Sequence, residues 1–183
     1  MVGQQSRPRY RGRVPLFTRR PSLPAAIRSR LDLPSGDRVL VAAELTDGRW
    51  AGAARRSLYV AGPGGDVLRR PWSDVDRASL DPETSTITIS WVDGSRAELA
   101  LTGPGADPFA QTLRERVQSS VVHSEIVVLP GGSEARVALR RDEGGRLVSQ
   151  VIGSAALDLA DPAVAARVDA AEARVRSAAG LPV

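Results

Sequence analysis

TSTITISWVDGSRAELAL, residues 84–101, decides how the chain is read. Ile87, Ile89 and Trp91 alternate with Thr86, Thr88 and Ser90, the period of two that marks a half-buried strand. Leu99 and Leu101 recur at the same spacing in the segment that follows. The join between the two fixes their register. A two-residue turn at Asp93-Gly94 would set Trp91 against Arg96 and Ile89 against Glu98, so apolar residues would face charges across the pair. A three-residue loop, Val92-Asp93-Gly94, with Gly94 in the left-handed conformation, sets Ile89 against Ala97, Ile87 against Leu99 and Trp91 against Ser95. A slip of one residue would turn every side chain to the other face, so the three-residue loop is expected.

Working back from this hairpin, turn residues divide the chain into further short strands. RVLVAAEL (38–45), 49–54 around Trp50, RSLYVA (56–61), 67–72 and 74–80 are separated by Asp47-Gly48, by Gly62-Pro63-Gly64-Gly65 and by a bend at Pro71–Ser73. Proline cannot donate to a ladder, so Pro71 is expected at a strand end or on an edge. Upstream, Leu23, Ile27 and Leu31 fall four apart, which predicts a short helix packed on the body within 22–33. Its Arg28 and Arg30 are expected to pair with acids of the body.

Working forward, Phe109, Leu113, Val117 and Val121 form a helical stripe. Asp107 is expected as N-cap and Pro108 as the first helical residue of a helix over 107–120. Strands are expected at 125–129, 136–141 and 146–153. Asp161 and Pro162 then open a second helix, with Val164, Val168, Ala171, Val175 and Ala178 as a thin stripe that Gly180 and Pro182 stop. That stripe lies on the small sheet or pairs weakly with a second chain.

The chain has 183 residues, 42% of them hydrophobic but only 4% aromatic, so a core of Val, Leu, Ile and Ala is expected. There is no Cys and one His, His123, which excludes disulfides, thiolate metal sites and multi-histidine metal sites. All 25 basic residues are Arg; with abundant Ala, Gly and Val this composition points to a GC-rich bacterial genome. The formal charge of +4 is unevenly spread. Residues 1–31 hold eight Arg and no acid, and the remainder is net −4. Residues 1–21, with three prolines and no periodicity, read as a solvated, disordered tail. The competing reading is an anion-binding arm in which Arg7, Arg9, Arg11, Arg13, Arg19 and Arg20 pair with phosphate. RNA, DNA and an anionic membrane surface all fit such an arm. Arg19-Arg20 is not followed by the apolar stretch that a twin-arginine signal needs.

No catalytic constellation is recognisable. His123, the one histidine, falls between a helix end and a strand and reads as structural rather than catalytic. Asp74 and Asp76, two apart on an expected strand, read as a solvated pair. The Gly-Pro-Gly-Gly loop does not open a helix, which a phosphate-binding loop requires. No cofactor and no metal are expected.

Seven antiparallel strands followed by one helix resemble the pleckstrin-homology-like superfamily, including bacterial PH-like and GRAM-type domains. The residues that carry the resemblance are RWAGAARRSLYVAG (49–62), LRRPWSDVDRASLD (68–81), TITISWVDGSRAELAL (86–101) and the helix after Asp107. The whole chain looks like an actinobacterial protein of this kind. The resemblance implies an α+β fold: an antiparallel β-barrel or sandwich of about seven strands with a capping helix, over residues 36–122. To this are added a short helix and linker (22–35), and strands and a helix in 123–183 without counterpart in the family. It further implies a non-enzymatic, cytoplasmic binding or scaffold module that docks a protein partner. The alternative is a nucleic-acid- or ribosome-associated protein that binds phosphate through its arm. Lipid-headgroup binders of the family use a basic loop between the first two strands; here that loop is Thr46-Asp47-Gly48-Arg49, one acid and one base.

Overall fold

In the computed structural model of the chain, residues 22–153 and 157–182 are described. The elements are α1 (Ala25–Arg28), β1 (Val39–Leu45), β2 (Trp50–Ala54), β3 (Ser57–Ala61), β4 (Val67–Pro71), β5 (Val75–Asp81), β6 (Thr86–Trp91), β7 (Arg96–Thr102), α2 (Ala106–Ser120), β8 (Val121–Val128), β9 (Glu134–Arg141), β10 (Leu147–Gly153) and α3 (Pro162–Ala178). The fold is α+β. Seven antiparallel strands lie in the order β4-β3-β2-β1-β7-β6-β5, and a second sheet has the order β10-β9-β8.

The β6–β7 hairpin has the expected register: Ile87 pairs with Leu99 and Ile89 with Ala97. The Trp91 amide donates to Ser95 across the loop (2.9 Å), and Gly94 holds a φ of +84°. Ile89, Leu99 and Trp91 share the buried face. They join residues of β1, β2, β3 and β5 and the α2 residues Phe109 and Leu113 in one core, each fully buried Ile or Leu contributing about 1.5–3 kcal/mol.

The sheet curls around this core without closing into a barrel. β4 and β5 are its two ends, and they do not pair with each other. The reason lies between them. β4 stops at Pro71, and a 3₁₀ turn at Trp72–Asp74 carries the chain on to β5. That turn is pinned by the Trp72 indole N–H, which donates to the Ala54 carbonyl (3.0 Å).

β2 and β3 are buried almost throughout because both sheet faces are covered. On the outer face, Leu23, Ile27 and Leu31 pack against Ala42, Ala54, Tyr59 and Ala61. The expected apolar stripe is thus seated on the body, although only Ala25–Arg28 is helical. Gly52 leaves the room: a Cβ there would lie 3.3 Å from the Leu23 methyl. Arg30 departs from expectation. Its guanidinium donates to the Gly62 and Pro63 carbonyls (3.0 and 3.2 Å) rather than to an acid, because the glycine- and proline-rich β3–β4 loop turns its carbonyls toward the helix.

α2 also departs in detail. A 3₁₀ turn at Gly103–Gly105 already winds the chain, so the helix begins at Ala106 and Gly105 takes the cap position. Asp107 therefore lies inside the first turn, where its charge faces the positive end of the helix dipole. At the other end Val121 is extended and opens β8 with no linker, so Val121 belongs to a strand rather than to the helical stripe.

α3 lies on the small sheet. Val164, Val168, Ala171 and Val175 pack on Val127, Leu129, Val137 and Leu139, and the Asp161 carboxylate accepts from the Ala163 amide (2.8 Å) as a cap. The other face of this sheet meets the main body through Arg140. That side chain is 0% exposed. Its guanidinium donates to the carbonyls of Val75 (2.5 Å), Ser73 (3.2 Å) and Asp76 (3.3 Å). Burial pushes its pKa down to about 10, which still leaves it charged at neutral pH.

Candidate functional site

An apolar-floored concavity runs between β5 and α2. It holds about 710 Å³, within the usual range for ligand sites. Leu80 pairs with Ile87, and Ile87, Leu113, Ala78 and Ala110 give the groove an apolar floor. Leu80, 45% exposed, stands at the side. The helical wall follows from α2's period: Asp107, Gln111, Arg114 and Gln118 succeed one another at three or four residues on the face beside the buried Phe109 and Leu113 stripe. The opposite wall is a sheet end. β5 pairs only with β6 among the described residues, so alternate residues of β5 direct N–H and C=O groups away from the sheet.

At one end of the groove lies Asp76, and here the sequence reading needs correction. Asp74 and Asp76 are not a solvated pair on one face. Asp74 lies in the 3₁₀ turn. Asp76 is the extra residue of a β-bulge between Val75 and Arg77, and a bulge re-aims its side chain. Asp76 is buried and forms ion pairs with Arg136 of β9 and with Arg77. Asp74 has its pKa raised, first by burial, with Arg70 opposing. Arg70 reaches Asp74 at 3.8 Å and Asp93 at 3.3 Å, and lies 5.2 Å from the Trp91 ring centre, within cation–π range.

A second polar junction ties the small sheet to β3 and β4. Glu143 accepts from the Ser57 hydroxyl and from Arg69, both at 2.5 Å. Arg69 in turn donates to the Tyr59 hydroxyl (3.1 Å), which donates to the Asp32 carbonyl (3.1 Å).

Arg7, Arg9, Arg11, Arg13, Arg19 and Arg20 lie outside the described residues. His123 is exposed on β8. The β1–β2 loop is closed on itself: Arg49 pairs with Asp47 at 2.7 Å, which leaves little free positive charge there. No helix among the described residues is long and apolar enough to cross a membrane. The groove was missed from sequence because a helical stripe announces only its buried face. The one available signal was Leu80, an apolar residue on a strand that the bend at Pro71–Ser73 places at the sheet's end. Comparison with family models, with curated proteins and with solved structures returns no match.

Proposed function

We propose that the protein is a non-enzymatic, cytoplasmic binding module of the PH-like kind, and that it docks an extended segment of a partner protein alongside β5. The observation that carries this reading is the edge of β5 from Arg77 to Asp81, which no strand among the described residues pairs with, beside an apolar-floored groove of about 710 Å³; the Val75 and Asp76 carbonyls are already taken by Arg140. A strand added there gains main-chain hydrogen bonds from β5 and places alternate side chains against Leu80, Ala78 and α2. The strand order and the helix packed on the curled sheet support the PH-like assignment.

Selection from a displayed peptide library tests the proposal, with Ala110→Arg as the counter-selected variant. Enriched peptides should carry apolar residues at alternate positions, protect β5 amides from hydrogen exchange, and bind the variant weakly. Failure to enrich any peptide, or equal binding to folded Ala110→Arg, would refute it.

The charge of residues 1–31, eight Arg without an acid, supports a second role, in which the arm binds nucleic acid. Such binding weakens steeply with salt through counterion release, whereas peptide docking on β5 does not.

A further inference from the structure

At the opposite end of β2 from the β1–β2 loop, a cleft of about 370 Å³ is lined by arginines from three separate elements. Arg55 and Arg56 connect β2 to β3 in two residues. Arg116 comes from the last turns of α2, and Arg141 from the end of β9. The two carboxylates in the lining, Asp142 and Glu143, are engaged elsewhere. Asp142 holds Arg146 at 2.8 Å and Glu143 holds Arg69 at 2.5 Å. Among the described residues, none of the four cleft arginines has a carboxylate within ion-pair distance.

Two further observations indicate that this arrangement is more than a solvated surface. The Arg116 Nε is buried and has no hydrogen-bond partner among the described residues, a costly state for a charged donor. The two residues linking β2 to β3 are both Arg, where tight hairpin turns favour Asn and Gly. Four like charges drawn to one concavity repel one another, and an anion between them removes that repulsion. The C-terminal end of α2 opposes an anion with roughly half a unit of negative charge, which is small against four full positive charges. The arginine fork is matched to phosphate oxygens, and the cleft volume suits one or two phosphate groups.

We propose that this cleft is a binding site for a phosphate-bearing anion. Its lining shares no residue with that of the β5–α2 groove. The shared chemistry is a phosphomonoester or pyrophosphate dianion, free in solution or on a lipid headgroup.

The test uses the full chain. Calorimetry with pyrophosphate at about 50 mM and about 300 mM salt should show binding that weakens at the higher salt. Arg56→Gln/Arg116→Gln should weaken binding by about tenfold or more, as loss of charge-assisted hydrogen bonds entails. Pyrophosphate should also raise the melting temperature of wild type and not of this variant. Without ligand, Arg116→Gln should melt no lower than wild type, since its Nε has no partner to lose. Vesicles bearing a phosphomonoester headgroup form the second arm. Binding to free pyrophosphate assigns a soluble ligand, and binding to the vesicles alone assigns a lipid. Absence of binding in both arms would overturn the proposal. So would equal binding by wild type and the double variant, which would place the affinity in the arginines of the arm.

Discussion

Replacing Arg140 probes what holds the second sheet to the first. Three hydrogen bonds run from its guanidinium to the carbonyls of Ser73, Val75 and Asp76. The contact to Trp72 at 3.5 Å is too long to count heavily, and the Trp72 carbonyl already accepts from the Val75 amide. Each carbonyl left buried without a donor costs about 1–3 kcal/mol. Burial of the guanidinium itself, visible in its pKa of about 10, offsets part of that gain in the native protein. Arg140→Ala, which also empties the space of the side chain's stem, should therefore cost about 3–5 kcal/mol. Arg140→Met keeps the stem and strands the carbonyls, so about 2–4 kcal/mol is expected. Arg140→Lys retains a charge that reaches some of the same acceptors and should cost least. Urea denaturation followed by tryptophan fluorescence reads the series, with Trp72 beside the site. If Arg140→Met proved as stable as wild type or more so, the carbonyls would be finding water and the arginine would be an electrostatic burden rather than a clasp.

The core makes a simpler demand. Ile89 is 0% exposed, and Ile89→Ala should cost about 2–5 kcal/mol in the same assay; a negligible change would contradict its packing beneath α2. Tyr59→Phe removes the bonds to the Asp32 carbonyl and from Arg69 and should cost about 1–2 kcal/mol at neutral pH. Burial is the first cause holding the Tyr59 phenol above its ordinary value of 10.0. Above pH 10 the unfolded chain therefore releases this proton while the folded chain keeps it, and stability falls as pH rises until the folded phenol also titrates. The gap between wild type and Tyr59→Phe should accordingly narrow above pH 10. A gap that stayed constant or widened there would contradict the buried, proton-retaining phenol.

What could be read from the sequence was what local chemistry dictates. The alternation of Ile87, Ile89 and Trp91 and the glycine at 94 specified a hairpin to the residue. The spacing of Val164, Val168 and Val175 specified a helix face, and Asp161 its cap. Arg140 could not be read in this way. In Val137-Ala138-Leu139-Arg140 the alternation assigns Val137 and Leu139 to α3 and leaves Arg140 on a face that looks solvent-bound. It is buried because a second sheet lies against the 3₁₀ turn and β5, a relation that no period of two or 3.6 records. Asp76 was misplaced for a different reason: a one-residue bulge defeats strict alternation. The cleft arginines come from positions spread between 55 and 141, and only the tertiary fold brings them together.

The strand order also bears on how quickly the chain can assemble. Within the seven-stranded sheet, β1–β2, β2–β3, β3–β4, β5–β6 and β6–β7 are all sequence neighbours, and hairpins of that kind form in about 1–10 µs. The exception is the seam between β1 and β7, where Glu44 meets Thr102 and Leu45 meets Leu101. These two residue pairs close a loop that contains five other strands, so the entropy of closure is concentrated at one short contact. Rates fall as contacts become more distant in sequence. The meeting of β1 and β7, with the arrival of α2 over the core they enclose, is therefore expected to be the slow event in forming this sheet. Until it occurs these seven strands would form two sets, β1–β4 and β5–β7, each with one apolar face still in water.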